Sequence, residues 1–337
     1  MAKTVDEIAD LAGVSVTSVR LVINGQDKKY RISEKTRDKI QGIIKQHGYV
    51  INQTARNLKL KQTQTIGLVI PSLTNPFFAI LTETLEAGCR AAGYQLITAC
   101  SGDDEETEEN VIKNLMARGI DGLFVTPSSA DRQKIIGSNR DNKPIVVLDR
   151  DFGTSDLPAV ATDNFKGGVN IGKKLAGMTS ELFFLGAGIS LPSVQARLKG
   201  VVVGLGSNGF KLTDNEIIIH GKNERINGYL IMQQLCQRLG RAPLGIVTVS
   251  LPILEGAMEY LRETFGEVNP GMVIGSFDNH PMLEFCPNPV VAMKQDTTAL
   301  SELALKLMKQ LINNEDTERK LHIIQPNVIE RQSLSKP

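Results

Sequence analysis

Apolar positions near the start of the chain recur at helical spacing. Val5, Ile8, Ala9 and Ala12 fall at i, i+3, i+4 and i+7, one face of an amphipathic helix. Thr4 and Glu7 stand in capping-box spacing ahead of that face, and Gly13 tolerates the left-handed conformation that ends a helix. Ser15 is placed to cap a second helix running to about Asn24, with Val19, Val22 and Ile23 turned toward the first. Val16, Thr17, Arg20 and Leu21 are left pointing outward. A third helix starts at Ser33, carries Ile40, Ile43 and Ile44 inward, and ends near Gly48.

From residue 65 the period changes. Apolar runs at 66–70, 95–99, 122–126, 145–148 and 160–162 alternate with helical stretches such as 77–92 and 105–117. After Ser180 the runs resume at 182–185, 217–219, 246–249, 272–277 and 290–293, with a helical stretch at 253–264. Continuous apolar strands alternating with helices predict an α/β fold with parallel sheets covered on both faces. Ten strands suit two sheets better than one, and the break near Ser180 divides the region into two halves of similar form.

Two short helices joined by a glycine turn form a helix-turn-helix, whose second helix lies in the DNA major groove. Arg20 can reach guanine O6 and N7, and Thr17 can hydrogen-bond a base or touch a thymine methyl. Val16 and Leu21 can make apolar contacts with thymine methyls. Thr4, Ser15, Ser18 and Asn24 complete the candidate DNA-facing set here, and Tyr30 and Arg31 can touch phosphate. An ordinary helical hairpin is the plainer alternative. Charge favours DNA: residues 1–62 hold twelve Lys and Arg against six Asp and Glu, so +6 there leaves −5 elsewhere out of a net +1.

At 337 residues, 41% hydrophobic and 22% charged, the chain has enough material for more than one globular core. No apolar run reaches membrane-spanning length and the first residues lack a signal peptide's apolar stretch, so a cytoplasmic location is expected. Cys89, Cys100, Cys236 and Cys286 form no C-x-x-C pair and are expected as buried free thiols. His47, His220, His280 and His322 show no metal-ligand spacing. No cofactor, metal site or catalytic constellation is expected, so the chain is not read as an enzyme. Gly204-Leu205-Gly206-Ser207-Asn208-Gly209 matches G-x-G-x-x-G, but the loop-like residues after it do not open the helix that a dinucleotide site requires. The acidic run at 103–106 reads as a helix N-terminus.

The run Ala12-Gly13-Val14-Ser15 with Val22-Ile23-Asn24-Gly25 resembles the lactose-repressor family, whose members carry a three-helix headpiece. Asn52-Gln53-Thr54-Ala55-Arg56-Asn57-Leu58-Lys59 is similar to that family's hinge helix, although Ile51 stands where many members have proline. The resemblance implies that Leu58 wedges into the minor groove, with Asn52, Ala55 and Lys59 beside it. An apolar wedge kinks the duplex by unstacking a base step. The implied organisation is a helix-turn-helix headpiece at 1–51, a hinge at 52–62, and a two-lobed periplasmic-binding-protein-like domain at 63–337 that binds effector and dimerises.

Ligands of parallel sheets bind beyond the C-terminal strand ends. That rule selects the stretch 71–78 with Ser72 and Phe77, then Asp149, Arg150, Asp163, Ser250, Asp278 and Gln295. Asn75-Pro76-Phe77-Phe78, Asp149, Arg197-Leu198-Lys199-Gly200, Phe277-Asp278 and Lys294-Gln295-Asp296 also match family landmarks. The resemblance implies that Asp149 and Asp278 accept from sugar hydroxyls, Arg197 donates, and Phe77 forms an apolar wall. Ser250-Leu251 replaces an Asn-Asp pair found in many members. Arg150, Leu21, Gly25, Tyr30-Arg31, the 235–241 stretch and Leu254-Glu255-Gly256 resemble the fructose-repressor and sucrose-operon-repressor branch. That implies fructose or a fructose phosphate as inducer, with Arg150 and Arg197 able to hold phosphate. For Arg150 the alternative is a surface ion pair with Asp151 or Asp156. The implied protein is a homodimeric repressor of a sucrose or fructose operon, binding a pseudo-palindromic operator. Without a leucine heptad after 323, a coiled-coil tetramer is not expected. The competing reading is a non-regulatory cytoplasmic sugar-binding or sugar-modifying α/β protein.

Overall fold

The structure is a computed structural model describing residues 3–49, 62–138 and 143–332. The chain forms two compact units, Met1–Thr63 and Gln64–Pro337.

The first unit packs α1 (Val5–Ala12), α2 (Val16–Ile23) and α3 (Glu34–His47) around Ile8, Ala9, Ala12, Val19, Val22 and Ile40. The caps are those the sequence signals. Thr4 and Glu7 close a reciprocal capping box, Gly13 turns left-handed at φ +64°, and Ser15 and Ser33 accept from the N–H three residues on. Val16, expected to face outward, is half-buried and packs against this core. Its place in the first turn of α2 faces it back toward α1. The Lys3 N–H donates to the Gly48 carbonyl at 3.1 Å and ties the chain start to the end of α3.

The second unit holds two six-stranded sheets. In the first lobe β1 (Thr65–Ile70), β2 (Gln95–Cys100), β3 (Gly122–Val125), β4 (Ile145–Leu148), β5 (Ala159–Thr162) and β11 (Leu321–Ile324) run in the order β11-β5-β4-β3-β1-β2, all parallel. Helices α4 (Pro76–Ala91), α5 (Glu105–Ala117), α6 (Ala130–Ser138) and α11 (Thr297–Ile312) cover its two faces. The second lobe orders its strands β12-β10-β9-β8-β6-β7. They are β6 (Phe183–Gly186), β7 (Ile217–Ile219), β8 (Gly245–Thr248), β9 (Val273–Phe277), β10 (Val290–Lys294) and β12 (Asn327–Arg331), with β12 antiparallel to β10. Helices α7 (Asn164–Leu175), α8 (Pro192–Gly206), α9 (Arg225–Leu239) and α10 (Leu251–Phe265) pack on this lobe. Phe124, Phe184 and Phe277 are fully buried at the two sheets, each contributing about 1.5–3 kcal/mol by leaving water.

The two halves predicted around Ser180 are not consecutive. The chain leaves the first lobe after β5, returns at α11, and crosses again between β11 and β12. Sequence patterning missed β11 and β12 because both are edge strands of mixed exposure, so neither shows an apolar run. The glycine-rich 204–209 segment lies at the end of α8, not in a nucleotide loop. A Cβ on Gly204 would stand 2.2 Å from the Val169 carbonyl oxygen, so this glycine lets α8 cross α7 backbone to backbone.

Among the described residues no helix is long and apolar enough to cross a membrane, and no group of His, Cys, Asp or Glu could hold a metal ion. Cys89 and Cys236 are buried free thiols as expected, but Cys100 is exposed and Cys286 half-buried. Cys100 ends an edge strand, where only one flank is covered.

Candidate functional site

In the first unit α2 projects Thr17, Arg20 and Asn24 to solvent, with Ser15 exposed at its N-cap and Leu21 half-buried. The Ser15 and Ser18 hydroxyls bond each other at 2.9 Å, and the Ser18 N–H donates to Ser15 Oγ at 3.2 Å. These bonds fix the first turn and hold Thr17 and Arg20 on one exposed surface. Thr4 is engaged in its cap: its N–H donates to Glu7 Oε2 at 2.8 Å. Lys3 pairs with Glu7 at 2.9 Å and, with the Thr4 N–H, holds that carboxyl at about 2, well below its ordinary range. Tyr30 is 54% exposed beneath the Lys29 ammonium, and Arg31 takes a left-handed φ of +56°. Asn52, Ala55, Leu58 and Lys59, the hinge candidates, lie outside the described residues.

In the second unit a cavity of about 790 Å³ opens between the lobes. Ser72, Phe78, Cys100, Asp103 and Arg150 line it from the first lobe, and Lys222, Asn223 and Glu255 from the second. A charged cluster of Asp103, Asp149, Arg150, Arg197 and Asp278 is assembled from strand ends of both lobes and from α8. Six non-glycine residues among those described take positive φ, and three are Asp103 (+52°), Asp149 (+64°) and Asp278 (+72°). Each follows the C-terminal end of a strand: β2, β4 and β9. Aspartate tolerates this conformation better than most residues, and such backbone concentrates at binding sites.

Arg150 is 3% exposed and gives both terminal nitrogens to Asp103, Nη2 to Oδ2 at 3.3 Å. Its partner is therefore neither Asp151 nor Asp156, and the pair is not a surface one. Asp151 instead accepts from Gln133 Nε2 at 2.6 Å and from the Gly153 N–H at 2.9 Å. Arg197 donates through Nε to Asn164 Oδ1 and through Nη1 to the Val249 carbonyl, both at 2.7 Å, and lies over the Phe277 ring at 5.0 Å. Its Nη1 stands 3.9 Å from Asp278 Oδ2. Gln295 Nε2 donates to Asp278 Oδ1 at 2.6 Å. Burial pushes the Asp149 carboxyl up, against the opposing pull of Arg197 and Arg150. Asp149 Oδ1 and Arg150 Nε have no hydrogen-bond partner among the described residues. A buried polar atom left this way costs about 1–3 kcal/mol, so a ligand hydroxyl that donates to Asp149 Oδ1 and accepts from Arg150 Nε would recover it.

Two candidates are not brought to this cluster. Asp163 caps α7, accepting from the Lys166 N–H at 2.9 Å and from Gln325 Nε2 at 3.2 Å. Phe77 and Phe78 are both buried in the first-lobe core, 6% and 3% exposed and edge-on to each other at 5.0 Å, and of the two it is Phe78 that lines the cavity. Asn75 caps α4: its Oδ1 accepts from the Phe77 N–H at 3.1 Å and fixes the first turn that carries both rings. Ser250 donates to Asn223 Oδ1, so a side-chain amide reaches the cavity from the loop after β7. Sequence reading missed Asp103, Asn223 and Lys222. All three follow strands β2 and β7, where the strand-end rule would have found them.

Residues 4–52 match bacterial regulatory proteins of the lacI family, and residues 66–316 match the periplasmic binding protein domain. The sucrose operon repressor of Klebsiella pneumoniae is 33% identical over 319 residues, covering 94% of both chains. The structure of the Cra transcriptional dual regulator from Pseudomonas putida in complex with fructose 1-phosphate superposes with a TM-score of 0.71 at 26% identity, over 80% of this chain and 99% of that one. The lac repressor dimer bound to operator and the anti-inducer ONPF shares the fold across 99% of both chains, with a TM-score of 0.83 at 19% identity. With an exposed recognition-type helix in one unit and an interlobe cavity in the other, the chain belongs to the lacI family of bacterial regulatory proteins.

Proposed function

We propose that this regulator represses a sucrose or fructose utilisation operon and leaves its operator when fructose or a fructose phosphate fills the interlobe cavity. As a lacI-family member the chain is a DNA-binding transcription regulator rather than an enzyme or a sugar-modifying protein, and it acts where the chromosome is, in the cytoplasm. One observation carries the effector reading: two buried left-handed aspartates, Asp149 and Asp278, and two buried arginines, Arg150 and Arg197, converge from both lobes on one cluster beside the cavity. Carboxylates that accept and guanidinium groups that donate replace the water stripped from a polyol, because every buried hydroxyl needs a partner. Similarity to the sucrose operon repressor and to the Cra–fructose 1-phosphate complex supports the choice of sugar.

The candidate effector contacts are Asp149, Arg150, Arg197 and Asp278, with Ser72, Ser250 and Gln295 supporting them. Asp163 acts through the helix it caps, and Phe77 through its packing against Phe78. Thr17, Arg20, Leu21 and Asn24 read bases, and Leu58 with Asn52, Ala55 and Lys59 engages the minor groove. Tyr30 and Arg31 meet phosphate. The active species is a homodimer on a pseudo-palindromic operator. The apolar Phe285 (74% exposed), Met282 (61%) and Ile226 (57%) support a second-lobe contribution to that interface.

The test is fluorescence anisotropy of the full chain on its own promoter fragment against random duplex, with fructose, fructose 1-phosphate and sucrose titrated in. Preferential binding reversed by fructose or its phosphate is expected. Equal binding to both duplexes would overturn the operator reading, and binding unmoved by any sugar would overturn the effector reading.

A further inference from the structure

We propose that Asp103 is a specificity-determining residue of the cavity: it occupies Arg150 as an internal anion, which a phosphate-bearing sugar must displace and an uncharged sugar need not. The inference rests on the effector reading above and deepens it.

Arg150 offers its two terminal nitrogens as a fork, the geometry that carboxylate and phosphate both match. That fork is already filled by the Asp103 carboxylate. The remaining donor, Nε, has no hydrogen-bond partner and stands 4.0 Å from Asp149 Oδ2, and Phe78 covers a face at 5.9 Å from the ring centre. Of the two ion-pair partners, Arg150 is the fixed one. It is 3% exposed directly after β4, whereas Asp103 is 24% exposed on the loop between β2 and α5, next to Gly102 at φ +65°. A ligand anion can therefore take the fork only by moving Asp103.

Among the other charged residues that line the cavity, none is a guanidinium fork without a carboxylate partner. Asp104, Glu224 and Glu255 are acidic. Arg225 is committed to Glu259, Nε to Oε2 at 2.9 Å. Lys222 is a single ammonium rather than a fork, and beside it the Asp104 carboxyl accepts from the Thr107 N–H at 2.8 Å. An uncharged sugar meets no like-charge penalty here, whereas a phosphate that takes the Arg150 fork meets Asp103.

The experiment is calorimetry of the full chain with fructose and with fructose 1-phosphate, for wild type, Asp103→Asn, Asp103→Ser and Asp103→Asn combined with Arg150→Ala. Circular dichroism checks that each variant is folded, and the two single variants are independent routes to the same charge removal. Both should tighten fructose 1-phosphate by roughly tenfold or more, the scale of one like-charge juxtaposition removed from a partly buried site, while free fructose changes by less than about threefold. Adding Arg150→Ala should erase the gain. Equal change for both sugars, or selective loss of the phosphate, would overturn the proposal and leave the effector reading standing. If neither sugar binds a wild-type chain that still holds its operator, the effector reading falls and this proposal with it.

Discussion

The Thr162 hydroxyl donates to the side-chain carbonyl of Gln295 at 2.6 Å, across 133 positions of sequence. Thr162 ends β5 where the chain leaves the first lobe, and Gln295 follows β10 where the chain returns. The amide of the same Gln295 donates to Asp278. One buried side chain therefore joins two interlobe crossings to the charged cluster. Gln295→Leu keeps the volume but leaves the Thr162 hydroxyl and Asp278 Oδ1 without that partner. The variant should lose about 1–3 kcal/mol in urea unfolding and bind fructose at least roughly tenfold more weakly in calorimetry. Unchanged sugar affinity would show that the crossing does not position Asp278.

How much of this was legible beforehand depended on where each signal lay. Caps and periodicity located the headpiece helices, because capping residues and apolar faces act within a few residues of each other. Asp149, Arg197 and Asp278 were found from strand ends and from resemblance. Asp103 was not: it sits in an acidic run that reads as a helix N-terminus, and Asp104 does take that cap. Its pairing with Arg150, 47 positions away, exists only once β2 and β4 lie in one sheet. Phe77 and Phe78 are adjacent apolar residues that both enter the core, and periodicity could not say which would also line the cavity. The exchange of β11 and β12 between sheets has no local signal at all.

Glycines at helix crossings and glycines in open helix surface should respond to alanine with opposite signs. A Cβ on Gly256 of α10 would lie 1.9 Å from the Arg225 carbonyl oxygen of α9, and neither backbone can yield without parting the helices. Gly42, exposed within α3, would meet nothing within 4 Å. Gly256→Ala should destabilise the second unit by about 1–3 kcal/mol. Gly42→Ala should stabilise the headpiece by about 0.5–1 kcal/mol. Calorimetric melts of the two variants check both directions.

Asp149 gives a pH dependence of definite sign. Burial raises its folded pKa above the unfolded value, so the native state holds this proton more tightly. The associated stability is present below the ordinary carboxylate range and is lost as pH rises from there through the folded value. Asp149→Asn removes the charge without changing the shape. The variant should be more stable than wild type at neutral pH, with the difference shrinking as pH falls toward about 4. Denaturant melts across that range check it. The same variant should bind sugar less well, because its amide cannot replace a two-oxygen acceptor.

Thiol reactivity should divide the cysteines by position. Burial pushes the Cys89 and Cys236 thiols up to about 11, and that of Cys286 upward as well. Cys100 is exposed and lines the cavity. Because the thiolate is the reactive form, a maleimide at neutral pH should label Cys100 first, as read by peptide mass spectrometry. Fructose at saturating concentration should slow that labelling. Labelling as fast with sugar as without would place the ligand away from β2.

The wedge role proposed for Leu58 makes specific and general DNA affinity separable. Phosphate contacts from the basic first unit act on any duplex and weaken steeply with salt, whereas a side chain wedged between base steps acts only where the sequence lets the duplex kink. Leu58→Ala leaves every charge in place. Binding to random duplex, and its salt slope, should therefore stay as in wild type, while binding to the operator fragment falls at least roughly tenfold because the kink loses its wedge. Linkage adds a second readout. Operator DNA must weaken sugar binding by the factor by which sugar weakens operator binding. A variant with a weaker grip on the operator should show a smaller factor in both directions, measured by sugar calorimetry with and without operator. Equal loss on operator and random duplex would mean that residue 58 contributes only to general attraction.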